Sequence, residues 1–165
     1  QRMAIDEDNL VYRKATLKDI NELIRFKLLL LDELNPNEDK NNLDIIINEL
    51  DLFFSEYLER NEFIAWLAEY QGRIVSTSGL VLWRIAPRYD CLHGRYGYIL
   101  NMYTIPEFRK NGISTELLKK LIEEAKKLNV DILNLHATKD GINMYRRFGF
   151  KDPIDPEIEL NLDNY

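Results

Sequence analysis

The 165-residue sequence contains one cysteine, Cys91, and two histidines, His93 and His136. A single thiol excludes a disulfide within the chain and a cysteine-rich zinc site, and two imidazoles are too few for a histidine-rich centre. No metal is therefore expected. Apolar runs are short, and none approaches the roughly 20 residues that a helical membrane span needs. The first residues lack the apolar core of a secretory leader. A basic excess is missing too. Lys plus Arg number 22 against 28 Asp plus Glu, for a formal charge of -6. That balance removes the general electrostatic reason to expect nucleic acid or an anionic membrane as partner.

What is present fits one folded domain. Hydrophobic residues make up 45% and charged residues 30%, enough for a core and a hydrated surface. No repeat, low-complexity tract or linker divides the chain. Residues 1–9 read as an N-terminal extension, or at Gln1-Arg2 ahead of Met3 as an expression remnant, and residues 10–165 as the domain. The cytoplasm is the simplest location.

The elements follow from period and punctuation. Leu10 to Arg13 reads as a strand, and Thr16 with Asp19 as a capping-box variant that starts a helix. Ile20, Leu23, Ile24, Leu28, Leu31 and Leu34 form its apolar face, and Asn35-Pro36-Asn37 ends it. A second helix spans Asn42 to Glu59, its stripe running from Leu43 through Ile46, Ile47, Leu50, Phe53 and Phe54 to Tyr57; these aromatics are expected in the core. Phe63 to Tyr70 predicts a strand, and Gln71-Gly72 a hairpin turn into a long strand ending near Arg84. A polar loop from Ile85 to Tyr96 follows. Asp131 to Thr138 reads as a buried strand, Asp140 to Arg147 as a short helix, Phe150 as the start of another strand and Ile158 to Leu162 as its return partner.

Between these lies the most informative stretch, Tyr98 to Leu128. Tyr98 to Ile105 is strand-like and Pro106 stops it. Ile113, Leu117, Leu118, Leu121, Ile122, Ala125 and Leu128 recur at helical spacing. At the junction stand Arg109, Lys110, Asn111, Gly112, Ile113 and Ser114. The first N–H groups of a helix lack intrahelical acceptors and carry the positive end of its dipole, and a glycine lets a bulky anion approach. The junction therefore predicts a phosphate or pyrophosphate cradle. It is not a Walker loop, because Ile113 follows Gly112 where Lys is needed, and it lacks the three spaced glycines of a dinucleotide fingerprint.

Arg109-x-x-Gly112-x-Ser114 resembles the Arg/Gln-x-x-Gly-x-Gly/Ala motif of the GCN5-related N-acetyltransferase (GNAT) family, with Ser114 in place of the last small residue. Pro106-Glu107-Phe108-Arg109 resembles the family's approach to this loop. Asn143-Met144-Tyr145-Arg146-Arg147-Phe148-Gly149-Phe150 is similar to its terminal Tyr-x-x-x-Gly-Phe segment. The order of elements agrees along nearly the whole chain. The resemblance implies an α/β (α+β in some schemes) single domain with a mixed, mostly antiparallel sheet flanked by helices, the GNAT acyl-CoA acyltransferase fold.

It further implies acetyl-CoA as donor and a primary amine of a small molecule or peptide as acceptor, joined by direct attack in a ternary complex. Backbone groups of Met102, Tyr103 and Thr104 would hold the pantetheine arm, and Arg109 through Thr115 the pyrophosphate. Thr138 stands where many members have a cofactor-contacting Asn, and Asn143 is a nearby substitute. Tyr145 is the implied general acid, since a phenol is protonated at neutral pH. His136, and more weakly His93, has the intrinsic pKa for a base, while His136 serves equally well as a hydrogen-bonded structural residue. A homodimer built on the final strands is implied as well. A noncatalytic acyl-CoA sensor or protein-interaction domain on the same fold is the alternative, because fold alone does not establish activity.

Overall fold

The computed structural model describes residues 3–165, and the Gln1-Arg2 remnant expected from the sequence lies outside them. Ten main elements follow one another: β1 (Leu10–Lys14), α1 (Ile20–Leu34), α2 (Leu43–Glu59), β2 (Phe63–Ile64), β3 (Trp66–Tyr70), β4 (Arg73–Arg84), β5 (Arg95–Thr104), α3 (Ile113–Lys127), β6 (Ile132–Leu135) and α4 (Ile142–Arg147). The strands form one sheet in the order β1-β3-β4-β5-β6, with β2 beside β4. All pairs are antiparallel except β5 and β6, which α3 connects as a parallel crossover. This is the mixed, mostly antiparallel sheet expected from the sequence.

Adjacent residues of β5 fix which helix covers which face. Tyr103 meets the ring of Phe26 in α1 edge-on, with centroids 5.9 Å apart. The Thr104 hydroxyl lies 2.9 Å from Ser114 Oγ in α3. Neighbouring strand residues point to opposite faces, so α1 and α3 sandwich the sheet. The buried stripe of α3 is Ile113, Leu117, Leu118, Leu121 and Ala125, as its spacing predicts. The aromatics of α2 pack as expected: Phe53 stacks on Tyr57 at 4.5 Å and both Phe53 and Phe54 meet Phe63. Thr16 and Asp19 form the capping box, which opens a 3-10 turn leading into α1.

Three expectations need correction. Phe63 to Tyr70 is two strands, not one. Ala65 turns its carbonyl to the Ala15 N–H at 2.9 Å, and the Ser78 hydroxyl takes over the backbone of Trp66, accepting from its N–H and donating to its carbonyl. The loop after β4 is shorter than Ile85 to Tyr96, because β5 already begins at Arg95 and Ile85 N–H bonds to the Gly94 carbonyl.

The final strands do not form. After α4 the chain runs without strand pairing to a 3-10 turn at Leu162–Asn164. Arg146 holds the departing chain beside α4 by pairing with Asp152 at 2.7 Å. Pro153 and Pro156 contribute no ladder donors. The alternation Ile158-Glu159-Leu160-Asn161-Leu162 suits a strand but meets no partner edge among the described residues, and all three apolar side chains are exposed.

Candidate active site

The β4–β5 ladder is interrupted midway. Thr77 pairs with Tyr103 and Gly79 with Leu100, so Asn101 and Met102 together stand opposite Ser78. This two-against-one count is a β-bulge. Asn101 adopts the left-handed region, φ 58°, one of the few non-glycine residues suited to it. The Thr77 hydroxyl donates to the Asn101 carbonyl at 3.0 Å and fixes the kink. Backbone groups of Met102 are thereby displaced from the regular β4 ladder.

The expected cradle lies just beyond. A 3-10 turn at Pro106–Phe108 leads to Lys110 and Gly112, both left-handed at φ 62° and 75°. Gly112 is the N-cap of α3, and no side chain among the described residues caps the helix. Among the described residues, a Cβ at Gly112 would find no atom within 4 Å, so the N-cap of α3 has open space on that side. Ile113 buries its side chain in the core, leaving only its backbone at this surface, and Thr115 and Lys110 are exposed. Asn111 Nδ2 donates to the Phe108 carbonyl at 3.0 Å and braces the turn.

Hydrogen bonds join cradle and strand. Thr104 Oγ1 lies between Ser76 Oγ, at 2.6 Å, and Ser114 Oγ. Arg109 Nε donates to the Thr104 carbonyl at 2.8 Å while its guanidinium stacks 5.3 Å from the Tyr103 ring centre. Tyr103, Thr104, Arg109 and Ser114 thus form one connected group.

Tyr145 reaches the same end of the sheet from α4. It is 8% exposed and packs with Leu80, Ile99 and Leu118, in a cluster that Met102 also borders. Phe150 meets its ring edge-on at 5.7 Å. Burial pushes the Tyr145 phenol up to about 12. Thr138 and Asn143 are exposed. Thr138 Oγ1 accepts from the Gly141 N–H at 3.2 Å and so caps the turn into α4. A cavity of about 720 Å³ opens between β6, Tyr145 and the chain after Phe150.

The two histidines lie apart. His136 Nδ1 is 2.6 Å from the Tyr98 hydroxyl at the end of β6. His93 Nδ1 is 2.7 Å from Asp131 Oδ1, and Asp131 also accepts the backbone N–H groups of His93 and Arg95. These bonds, led by that from His93, hold the Asp131 carboxyl down at about 2. His93 therefore pins the loop before β5 to the turn before β6. Among the described residues, no three His, Cys, Asp or Glu side chains gather as a metal site.

Two charged neighbours of these residues are not singled out in the sequence. Glu33, in the last turn of α1, pairs with Arg109. Lys27, in mid-α1, donates to Asn101 Oδ1 at 2.7 Å. A signal for Lys27 does exist: a lysine seven residues after Ile20 and four after Leu23 falls on the inward stripe.

The candidate site thus joins a strand bulge in β5, the start of α3 beside it, and a buried tyrosine on α4, the helix that follows the parallel strand β6. Comparison with known proteins gives the family. Residues 28–150 match the model of the acetyltransferase (GNAT) family, and the chain belongs to that family as an N-acetyltransferase. A curated N-alpha-acetyltransferase of Sulfolobus acidocaldarius is 28% identical, covering 91% of this chain and 88% of the relative. A thialysine N-epsilon-acetyltransferase of Mus musculus is 29% identical over 58% of this chain and 56% of its own. Among solved structures, a predicted acetyltransferase of Clostridium acetobutylicum with acetyl-CoA superposes with a TM-score of 0.84 at 39% identity, over 94% of this chain and 98% of that one.

Proposed function

We propose that the protein transfers the acetyl group of acetyl-CoA to a primary amine of a small molecule or peptide by direct attack in a ternary complex. The observation that carries this reading is the open, uncapped start of α3 at Gly112 next to the β5 bulge. A pyrophosphate would find there the first N–H groups of a helix that no described side chain caps, a glycine with open space beside it, and Arg109, Lys110 and Ser114 next to it in sequence. The Clostridium relative's complex with acetyl-CoA supports the same donor. Names of the curated relatives support an amine as acceptor.

Acetyl-CoA supplies the acyl thioester. This chain's residues position it and relieve charge. Met102, Tyr103 and Thr104 offer backbone groups along the opened end of β5. Thr138 and Asn143, at the entrance to α4, are the remaining polar contacts assigned to the donor. A neutral amine nitrogen forms the N–C bond as the C–S bond breaks, its proton leaves to water, and the electron pair departs on sulfur. Tyr145 stays protonated and donates to that sulfur. With its phenol at about 12 against roughly 8.5 for a thiol, full transfer from Tyr145 is uphill by about 5 kcal/mol. Its role is a hydrogen bond to developing thiolate rather than delivery of a whole proton.

Calorimetric titration with CoA and acetyl-CoA tests the cradle. Saturable binding supports the reading, and absence of binding by folded protein overturns it. A sensor without turnover is the second reading, and an amine-dependence assay separates the two. The exposed apolar residues Ile158, Leu160 and Leu162, and β6 as an outer strand of the sheet among the described residues, also support a homodimer in which each copy offers its tail to the other.

A further inference from the structure

α1 turns one cation inward. Lys27 shares the stripe of Ile20, Leu23 and Ile24 and is half-buried against β5. Its Nζ donates to Asn101 Oδ1 at 2.7 Å, and no carboxylate pairs with it among the described residues. The acids of α1 are directed elsewhere: Glu22 pairs with Arg25, Asp32 with Lys40 and Glu33 with Arg109. Asn101 gives Lys27 a dipole but no counter-charge. Removing an ammonium from water without an anion is costly, and burial alone lowers the Lys27 pKa from its ordinary value.

The position of this charge is specific. Asn101 is the left-handed residue of the bulge and Met102 follows it. Six residues further along α1, about 9 Å, Glu33 meets the cradle's Arg109. α1 therefore runs beside β5 from Arg109 to the bulge, and Lys27 stands at the bulge end, next to Met102, whose backbone the donor reading gives to the acyl-bearing arm.

We propose that Lys27 is the anion-binding element of the acceptor subsite, and that the acceptor is an aminocarboxylic acid whose carboxylate adjoins the amine to be acetylated. This rests on the donor reading above. Lys27 Nζ is bonded to the side chain of Asn101, the residue before Met102 in the bulge, so the acceptor that suits both places is one whose carboxylate and amine are a few bonds apart, as in an α- or β-amino acid. A plain alkylamine leaves Lys27 without a counter-ion. A peptide N-terminus presents a neutral carbonyl where the carboxylate would be.

The test compares standard L-amino acids with their carboxamides, in wild type, Lys27→Met and Lys27→Arg. Calorimetry with CoA present gives affinities, and thiol release gives kcat/KM. Methionine suits the apolar stripe, so the fold should survive, and unchanged CoA affinity in each variant shows that the donor site is intact. Wild type should favour the carboxylate over the carboxamide by about tenfold to hundredfold, the value of a charge-assisted hydrogen bond. Lys27→Met should erase that preference in both measurements, and Lys27→Arg should keep part of it. No preference in wild type, or an equal loss for carboxylates and carboxamides in Lys27→Met, overturns the proposal while leaving the donor reading standing. Failure of wild type to bind CoA would instead strike the donor reading.

Discussion

Arg109 donates through Nη2 to Glu33 Oε2 at 2.6 Å while its Nε donates to the Thr104 carbonyl. One guanidinium thus ties the start of α3 to both β5 and the last turn of α1. Where a pyrophosphate binds beside Gly112, Glu33 and the phosphate compete for the same cation. The pair is about half exposed, so its own value is only about 0–1 kcal/mol. Glu33→Gln should therefore tighten CoA binding by up to about fivefold, whereas Arg109→Ala should weaken it. Parallel calorimetric titrations check both. Weaker binding in folded Glu33→Gln would show that Glu33 orients Arg109 for the donor instead of competing with it.

Gly112→Glu tests the cradle more severely. The new side chain enters open space but brings a negative charge to the proposed phosphate site, in a left-handed backbone that costs a non-glycine residue about 1–2 kcal/mol. CoA affinity should drop sharply while circular dichroism remains native. Retained affinity in the folded variant would move the pyrophosphate elsewhere.

Tyr145→Phe keeps the ring that packs against Phe150 and removes only the hydroxyl. Single-turnover rates should fall by about 10²–10³-fold with little change in acetyl-CoA affinity. The phenol's pKa of about 12 has a second consequence. Its folded value lies above the unfolded 10.0, so its stabilising contribution is complete below pH 10 and fades between pH 10 and 12. No falling limb in the pH–rate profile below pH 10 should come from Tyr145. A limb near neutrality that disappears in Tyr145→Phe would contradict this assignment.

Much of this architecture was legible in the sequence because its signals are local. Gly112 precedes a clear helical period, and Gln71-Gly72 punctuates two alternating runs. Other features depend on contacts distant in sequence. Ser78 splits the strand at Ala65 by bonding Trp66, and no pattern within Phe63 to Tyr70 announces it. Ile158 to Leu162 has the alternation of a strand, but a strand needs an edge to pair with, and the periodicity is silent on that. Glu33 reads as an ordinary helix charge until α1 is laid along β5, and Lys27 is marked only by its place on the inward stripe.

Asp131 provides an acid-sensitive contact outside the donor site. Its carboxyl titrates at about 2, below its ordinary 3.8, chiefly because of the bond from His93. The contribution is present above pH 3.8 and is lost as pH falls toward 2. Hydrogen exchange should show the 85–94 loop loosening in that window, and Asp131→Asn should loosen it already at neutral pH. Equal protection in the variant would mean that other contacts hold the loop.

The tail offers a separate test. If residues 157–162 pair with β6 of a second copy, light scattering should give a dimer mass, and removal of residues 153–165 should return a monomer. A monomer for the intact protein across micromolar concentrations would exclude this assembly.

The most direct measurement of the central claim follows thiol release from acetyl-CoA across an amine panel, with the products weighed by mass spectrometry. The account predicts that at least one amine accelerates thiol release and appears N-acetylated in equal amount. Tight acetyl-CoA binding with thiol release that no amine accelerates would contradict it and identify the protein as a sensor.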